Sequence, residues 1–157
     1  MTKCPDCGRA TLRTVNEPQT RSVAGRTFMA FLPTSKCSGR GCGASYYDGA
    51  VGIRFDLAIA AELVRLGASE GEAFKHMRKA VGLKNTDMAD LLDVDAVTLS
   101  RWETGKHPVP RAELATLGAI VAEAVLGSKA TLDRLRKLQK PSARSRRPVR
   151  LELAAGR

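Results

Sequence analysis

GLKNTDMADLLDVDAVTLSRWETGK, residues 82–106, decides how this chain is read. Its first half predicts a helix over about 85–92, with Met88, Ala89 and Leu92 turned inward. A break follows at Asp93-Val94. A second helix then runs from about 96 to 104, with Asp95 as its N-cap and Leu99 and Trp102 facing inward. Ala89 is small where two helices would cross closely, and Val94 plugs the turn between them. Positions 95, 96, 97, 100 and 101 are left outward. This is the arithmetic of a helix-turn-helix whose second helix enters a DNA groove. The acids Asp93 and Asp95 oppose that reading, because the partner would be a polyanion.

The remaining composition bears on the same problem. The chain has 157 residues and a net charge of +10, which points to a polyanionic partner. The charge is uneven: residues 1–50 carry +4, residues 51–110 carry −1, and residues 111–157 carry +7. The excess therefore lies at both ends, away from the proposed reading helix. Aromatic residues make up only 4%, which argues against one large aromatic core. No apolar stretch approaches the roughly 20 residues of a membrane helix, and the N-terminus lacks the apolar core of a signal peptide. The expected location is the cytoplasm, without a membrane partner.

In a reducing compartment, clustered cysteines point to metal or redox chemistry rather than disulfides. Cys4 and Cys7 stand in CPDCG, and Cys37 and Cys42 in CSGRGCG. Two local turns that each offer two thiolates suit a closed tetrahedral Zn2+ site of structural type. Each pair is followed by a glycine (Gly8, Gly43), which lets the turn curl back on the sulfurs. LRTVNE (12–17) and RTFMAFL (26–32) read as strands flanking a turn-rich stretch that ends at Ala24-Gly25. A small antiparallel ribbon results, too poor in apolar residues to fold without the metal. Two rival readings remain: a redox CxxC pair, and cysteines without a ligand. His76 and His107 read as ordinary surface or core histidines. No nucleophile–base pair, phosphate loop or open metal position is evident, so an enzyme is not expected.

Between these regions, FDLAIAAELVRLG predicts a helix capped by Asp56 and stopped by Gly67, with Leu57, Ala60, Ala61 and Val64 on one face. Ser69 and Glu72 have capping-box spacing, so a helix is expected from 70, with Phe74, Met77 and Val81 inward and Gly82 at its end. RAELATLGAIVAEAVLG, after Pro108 and Pro110, offers Leu114, Leu117, Ile120, Val121, Ala124 and Val125. Two readings stay open for it: a buried core helix or a dimer interface. SKATLDRLRKLQK predicts a last helix capped by Ser128, with Leu132, Leu135 and Leu138 in a stripe. The segment from Arg134 to Arg150 holds eight basic residues and no acid. Its end reads as a disordered tail, either merely solvated or a non-specific phosphate anchor.

GLKNTDMADLLDVDAVTLSRWETGK resembles the helix-turn-helix of the Xre/Cro repressor class. With the CPDCG…CSGRGCG ribbon before it, the chain resembles MqsA-type antitoxins and related regulators with a YgiT-type zinc finger, over roughly residues 1–126. The fold class expected is α+β: a four-cysteine zinc ribbon over 1–50, a linker helix over 51–68, an all-α helix-turn-helix domain over 69–127, and a C-terminal helix with a basic tail over 128–157. The resemblance implies a buried salt bridge between Arg78 and Glu103. It implies phosphate contacts from Asn85, Thr98, Thr104 and Lys106, and base contacts from Ala96, Val97 and Arg101; the charge distribution itself makes Lys106, Arg111 and the basic tail the expected sources of phosphate attraction. Arg101 matches the arginine with which MqsA-type proteins read a base. Val97 departs from the polar residue expected there and can read only by apolar contact, such as with a thymine methyl. Asp93 replaces the usual turn glycine, which Asp tolerates. The function implied is that of a transcriptional repressor binding double-stranded DNA at a palindromic operator as a homodimer, and of an autoregulating antitoxin that neutralises an RNase-type toxin. The alternative is a stand-alone helix-turn-helix regulator with no toxin partner.

Overall fold

The computed structural model describes residues 3–140 and 148–152. A three-stranded antiparallel sheet at the N-terminus precedes six helices. The long strands are β1 (Leu12–Val23) and β2 (Arg26–Cys37), and β3 is the short Ser45–Tyr46. Both long strands are about twice the length expected from the sequence. The stretch taken as turn-rich, around Pro18 to Ser22, is strand. The only break is Ala24-Gly25, where both residues have positive φ (50° and 70°), as a two-residue hairpin turn requires. Val23 and Arg26 face each other across that turn, so Pro18 falls opposite Phe31 at a non-hydrogen-bonded position. Its nitrogen points to the open edge of β1, and no ladder bond is lost.

α1 (Gly49–Arg65) starts earlier than the sequence suggests. The Asp48 carboxylate, not Asp56, caps it, accepting from the Ala50 N–H at 2.7 Å. Asp56 lies mid-helix and pairs with Arg21 of β1, whose guanidinium also sits 5.6 Å from the Phe55 ring centre. The buried face is Val51, Phe55, Ile59, Ala60 and Leu63, whereas Leu57, Ala61 and Val64 flank it half-buried. The reason is that α1 is covered on two sides. Val23, Leu32, Phe28 and Ala30 of the ribbon join the same core, with β2 against α1, and α2 and α5 also pack on this helix. The helix expected as a linker over 51–68 is therefore part of the core.

α2 (Gly71–Ala80), α3 (Asn85–Leu92), α4 (Ala96–Glu103) and α5 (Arg111–Val125) follow. Phe74, Met77, Met88, Leu99, Leu117 and Val121 are their most deeply buried side chains. Phe74 meets Trp102 edge-on, with ring centres 6.3 Å apart. The Ser69–Glu72 capping box does not form: Glu70 occupies the N-cap of α2 without a side-chain bond. Its carboxylate instead pairs with Arg26 at the ribbon tip, 2.9 Å away. In α3 Leu91 is buried and Leu92 only half-buried, because α6 (Ala130–Leu138) packs against that side. For α5 the core reading holds for Leu117, Ile120 and Val121, whereas Val125 is exposed.

Ser128 contributes only a long 3.4 Å contact to Ala130 N–H. The start of α6 is held by Glu123 of α5, whose carboxylate accepts from the Thr131 N–H (2.8 Å) and hydroxyl (2.7 Å). A carboxylate at a helix N-terminus satisfies otherwise orphaned donors. Leu132 is buried, Leu135 half-buried and Leu138 exposed. Of the tail, residues 148–152 are exposed and without regular structure, while 141–147 and 153–157 lie outside the described residues. Among the described residues, no helix is long and apolar enough to cross a membrane.

Candidate metal centre and nucleic-acid interface

β1 leaves its knuckle at Leu12 and β2 returns at Cys37, so strand pairing brings CPDCG and CSGRGCG together. The four sulfurs all lie within 4.8 Å of one another. Cys4 and Cys42 are 3.8 Å apart, and Cys7 and Cys37 are 3.7 Å apart. A tetrahedron with metal–sulfur bonds of about 2.3 Å has edges of roughly 3.8 Å, so both pairs already stand at bonding separation for one tetrahedral ion. Gly8 and Gly43 have φ of +62° and +63°, as expected for turns that curl back on their cysteines. The Cys4 N–H bonds the Ala10 carbonyl, and the Cys37 N–H the Ala44 carbonyl.

Electrostatics favour a cation at this place. Backbone N–H groups of Arg9 and Ala10 draw the Cys7 thiol down to about 6, and those of Cys7 and Asp6 lower Cys4. Cys37 is pushed up to about 12: Gly39 N–H favours its thiolate, but burial and the three neighbouring sulfurs outweigh it. Cys42 moves the same way. Four thiolates this close cannot all ionise unaided, and a divalent ion removes that conflict. Tyr46 adds a donor that the sequence did not announce. Its hydroxyl is buried without a hydrogen-bond partner, and Asp6, burial and Cys4 together hold its proton on. The protein thus shows a four-cysteine site that fits a bound metal, built on the end of a ribbon.

The second site is the outer face of α4. Asp93 ends α3 in the left-handed region (φ 54°, ψ 43°), which sets the turn. The Asp95 carboxylate caps α4, accepting from the Thr98 N–H and hydroxyl, both at 2.7 Å. The Thr98 hydroxyl and then the helix N–H groups hold its pKa below the ordinary carboxylate value. Its charge is thus turned into its own helix. Glu103 is occupied at the other end, where Arg78 of α2 grips it with two bonds of 2.5 and 3.1 Å and gives a third, 2.6 Å, to the Leu83 carbonyl. Both partners are 6% exposed. Such a fork fixes α4 against α2 with little freedom.

The residues named from the sequence fall into distinct settings. Val97 and Arg101 are exposed on α4, and Arg101 is its one exposed charge. Ala96 is half-buried and packs on the core rather than facing outward. The Thr98 hydroxyl is given to Asp95, and that of Thr104 to the Ser100 carbonyl at 2.8 Å, so neither has its proton free. Asn85 opens α3 half-buried, while Lys106 and Arg111 are exposed. Among the described residues, none of Asn85, Lys106 and Arg111 has a side-chain hydrogen-bond or ion-pair partner. Two features escaped the sequence reading. Gly71 passes so close to α4 that a Cβ would stand 1.9 Å from the Trp102 carbonyl oxygen. Lys84 is exposed beside Asn85, and its N–H is held by Asp87 at 3.2 Å. No motif signals a close approach between segments thirty residues apart.

Residues 71–135 match a family model described as a helix-turn-helix domain. No curated protein matches the chain. The match spans α2 to α5 and most of α6. With the geometry of α3 and α4, it supports an Xre-like helix-turn-helix regulator that binds DNA.

Proposed function

We propose that this protein is a zinc-stabilised, sequence-specific transcriptional repressor that binds double-stranded DNA as a homodimer at a palindromic operator, its own gene's included. One observation carries the reading. In a domain matching the helix-turn-helix family, α4 leaves Val97, Ser100 and a single cation, Arg101, exposed for base edges, while Asp95 is engaged as the cap and Glu103 is gripped by Arg78. An arginine fork to guanine contributes about 1–3 kcal/mol of discrimination, and Val97 suits a thymine methyl. One strong reader per subunit is little, which favours two copies on half-sites about one DNA turn apart. Four thiolates fill the coordination of a tetrahedral ion and leave no place for a reacting water, which supports a binding protein rather than an enzyme. The cytoplasm is the compartment such a role implies.

Within this reading, a ribbon followed by a helix-turn-helix supports an autoregulating antitoxin that neutralises an RNase-type toxin. Footprinting on the DNA upstream of the gene tests the first part. Arg101→Ala should erase operator preference and leave salt-sensitive, non-specific binding. An operator preference that survives the substitution removes Arg101 as a reader. The antitoxin part is tested by expressing the adjacent small gene product and assaying RNA cleavage with and without this chain. An adjacent product that cleaves no RNA leaves a stand-alone regulator.

A further inference from the structure

The four sulfurs of the knuckle do not share one environment. Cys4 is 1% exposed, whereas Cys7 and Cys42 are half-buried and line one open cleft of about 530 Å³. Backbone N–H groups serve each sulfur: those of Cys7 and Asp6 serve Cys4, those of Arg9 and Ala10 serve Cys7, Gly39 serves Cys37 and Ala44 serves Cys42. Tyr46 brings a side-chain donor to the same place. It stands opposite Ser35 across the β2–β3 pair, and strand alternation puts both on the face of the sheet that carries Cys37. Its hydroxyl is buried and has no hydrogen-bond partner among the described residues. The groups that act on this hydroxyl are the Asp6 carboxylate first and the Cys4 sulfur after it. A buried hydroxyl is costly without an acceptor, so one of these two must serve it. Asp6 is exposed and can be satisfied by water, whereas the buried Cys4 cannot.

We infer that the Tyr46 hydroxyl donates to the Cys4 thiolate of the metal-loaded protein, which makes Tyr46 a positioning residue for that ligand. The inference rests on the reading of the four cysteines as a metal centre. A thiol is a weak acceptor, but a thiolate carries charge and accepts a stronger bond. Donors behind a metal ligand fix its orientation and tune its affinity for the ion. The site then has two unlike sides. Competing ligands reach it through the cleft at Cys7 and Cys42, and Tyr46 holds the closed side at Cys4. The rival role is a bond from Tyr46 to Asp6 that braces the first knuckle and leaves the sulfur untouched.

The test compares the full-length wild type with Tyr46→Phe and Asp6→Asn, each loaded with zinc and, separately, with cobalt(II). Metal uptake by the wild type reports on the metal centre by itself. A wild type that takes up neither ion overturns that reading and the inference with it. In a protein that binds metal, Tyr46→Phe should lower zinc affinity roughly 10- to 100-fold against a competing chelator. Its sulfur-to-cobalt charge-transfer band should move to longer wavelength, because a thiolate that loses a hydrogen bond releases its electrons more easily. Phenylalanine keeps the ring, so lost packing does not explain such a shift. Asp6→Asn keeps the phenol and should keep the zinc affinity of the wild type. An unmoved band in Tyr46→Phe overturns the inference. So does an equal loss of affinity in both variants, which would assign the hydroxyl to Asp6.

Discussion

The knuckle end of the ribbon holds four sulfurs within 4.8 Å of one another and almost no apolar mass, whereas α2 to α5 close around Phe74, Met77, Met88, Leu99, Leu117 and Val121 with an ion pair at their edge. One region is arranged around a site that fits a metal ion, and the other around side chains it carries. The tip of the ribbon belongs to the second kind. Val23 and Leu32 share the core of the helices, and Arg21 and Arg26 are paired to α1 and to the residue capping α2. The boundary between the two modes of stabilisation thus falls inside the ribbon, part-way along β1 and β2, and not at the end of the sheet.

Metal removal is the strongest way to break this contrast. Structural zinc contributes on the order of 10 kcal/mol in small zinc-binding peptides. Chelation, or Cys42→Ser, should therefore release the knuckle residues before 12 and from 37 to 46. The hairpin tip and the helices should stay folded, because their packing needs no metal. Hydrogen exchange resolves the two: protection should vanish at the knuckles and persist in α1, α2 and α5. Simultaneous loss of helical protection would show that the boundary is misplaced.

Glu103→Gln attacks the helical region at its buried charge pair with Arg78. Removing one partner leaves Arg78 charged and buried, which costs about 3–5 kcal/mol. The denaturation midpoint of the helices should fall sharply while the metal content of the purified protein stays unchanged. Replacing both partners with apolar residues should recover most of the loss, because the desolvation cost disappears with the charges. Gly71→Ala tests the same α2–α4 contact from the other side. A methyl 1.9 Å from the Trp102 carbonyl must push the backbone apart, at about 1–3 kcal/mol, and the shift would move Arg101 with its helix. Operator affinity should fall further than stability alone accounts for, which parallel urea titrations and binding curves would separate.

These effects differ in how visible they were beforehand. The cysteine spacing, the inward Leu99 and Trp102 and the Asp95 cap follow from local pattern, and the Arg78–Glu103 pair from resemblance; each is present in the fold. What local pattern missed is long-range. The start of α1 was hidden because Gly49 and Gly52 weaken helix propensity, and Asp48 with ribbon packing overrides that. Pro18 read as a turn because nothing local shows which way its nitrogen faces. Gly71 meets a segment distant in the chain, where periodicity carries no signal, and the Glu123 cap on α6 reaches across the turn between two helices.

Asp93→Gly is the smallest and sharpest probe, because it acts on the turn and on the DNA face at once. Asp93 holds φ 54°, a conformation that glycine adopts without a Cβ penalty. The substitution should stabilise the helical region by up to about 1 kcal/mol, reduced by the greater entropy of the unfolded glycine chain. It also removes an exposed acid beside α4. If the phosphate backbone passes over this turn, affinity for all duplexes should rise several-fold at low salt and converge with wild type at high salt, where screening removes the repulsion. A stability gain with unchanged affinity would place Asp93 beyond the reach of the backbone. A loss of stability would mean that the Asp side chain itself supports the turn, and that the helical region, like the knuckle, depends on a polar group it cannot replace.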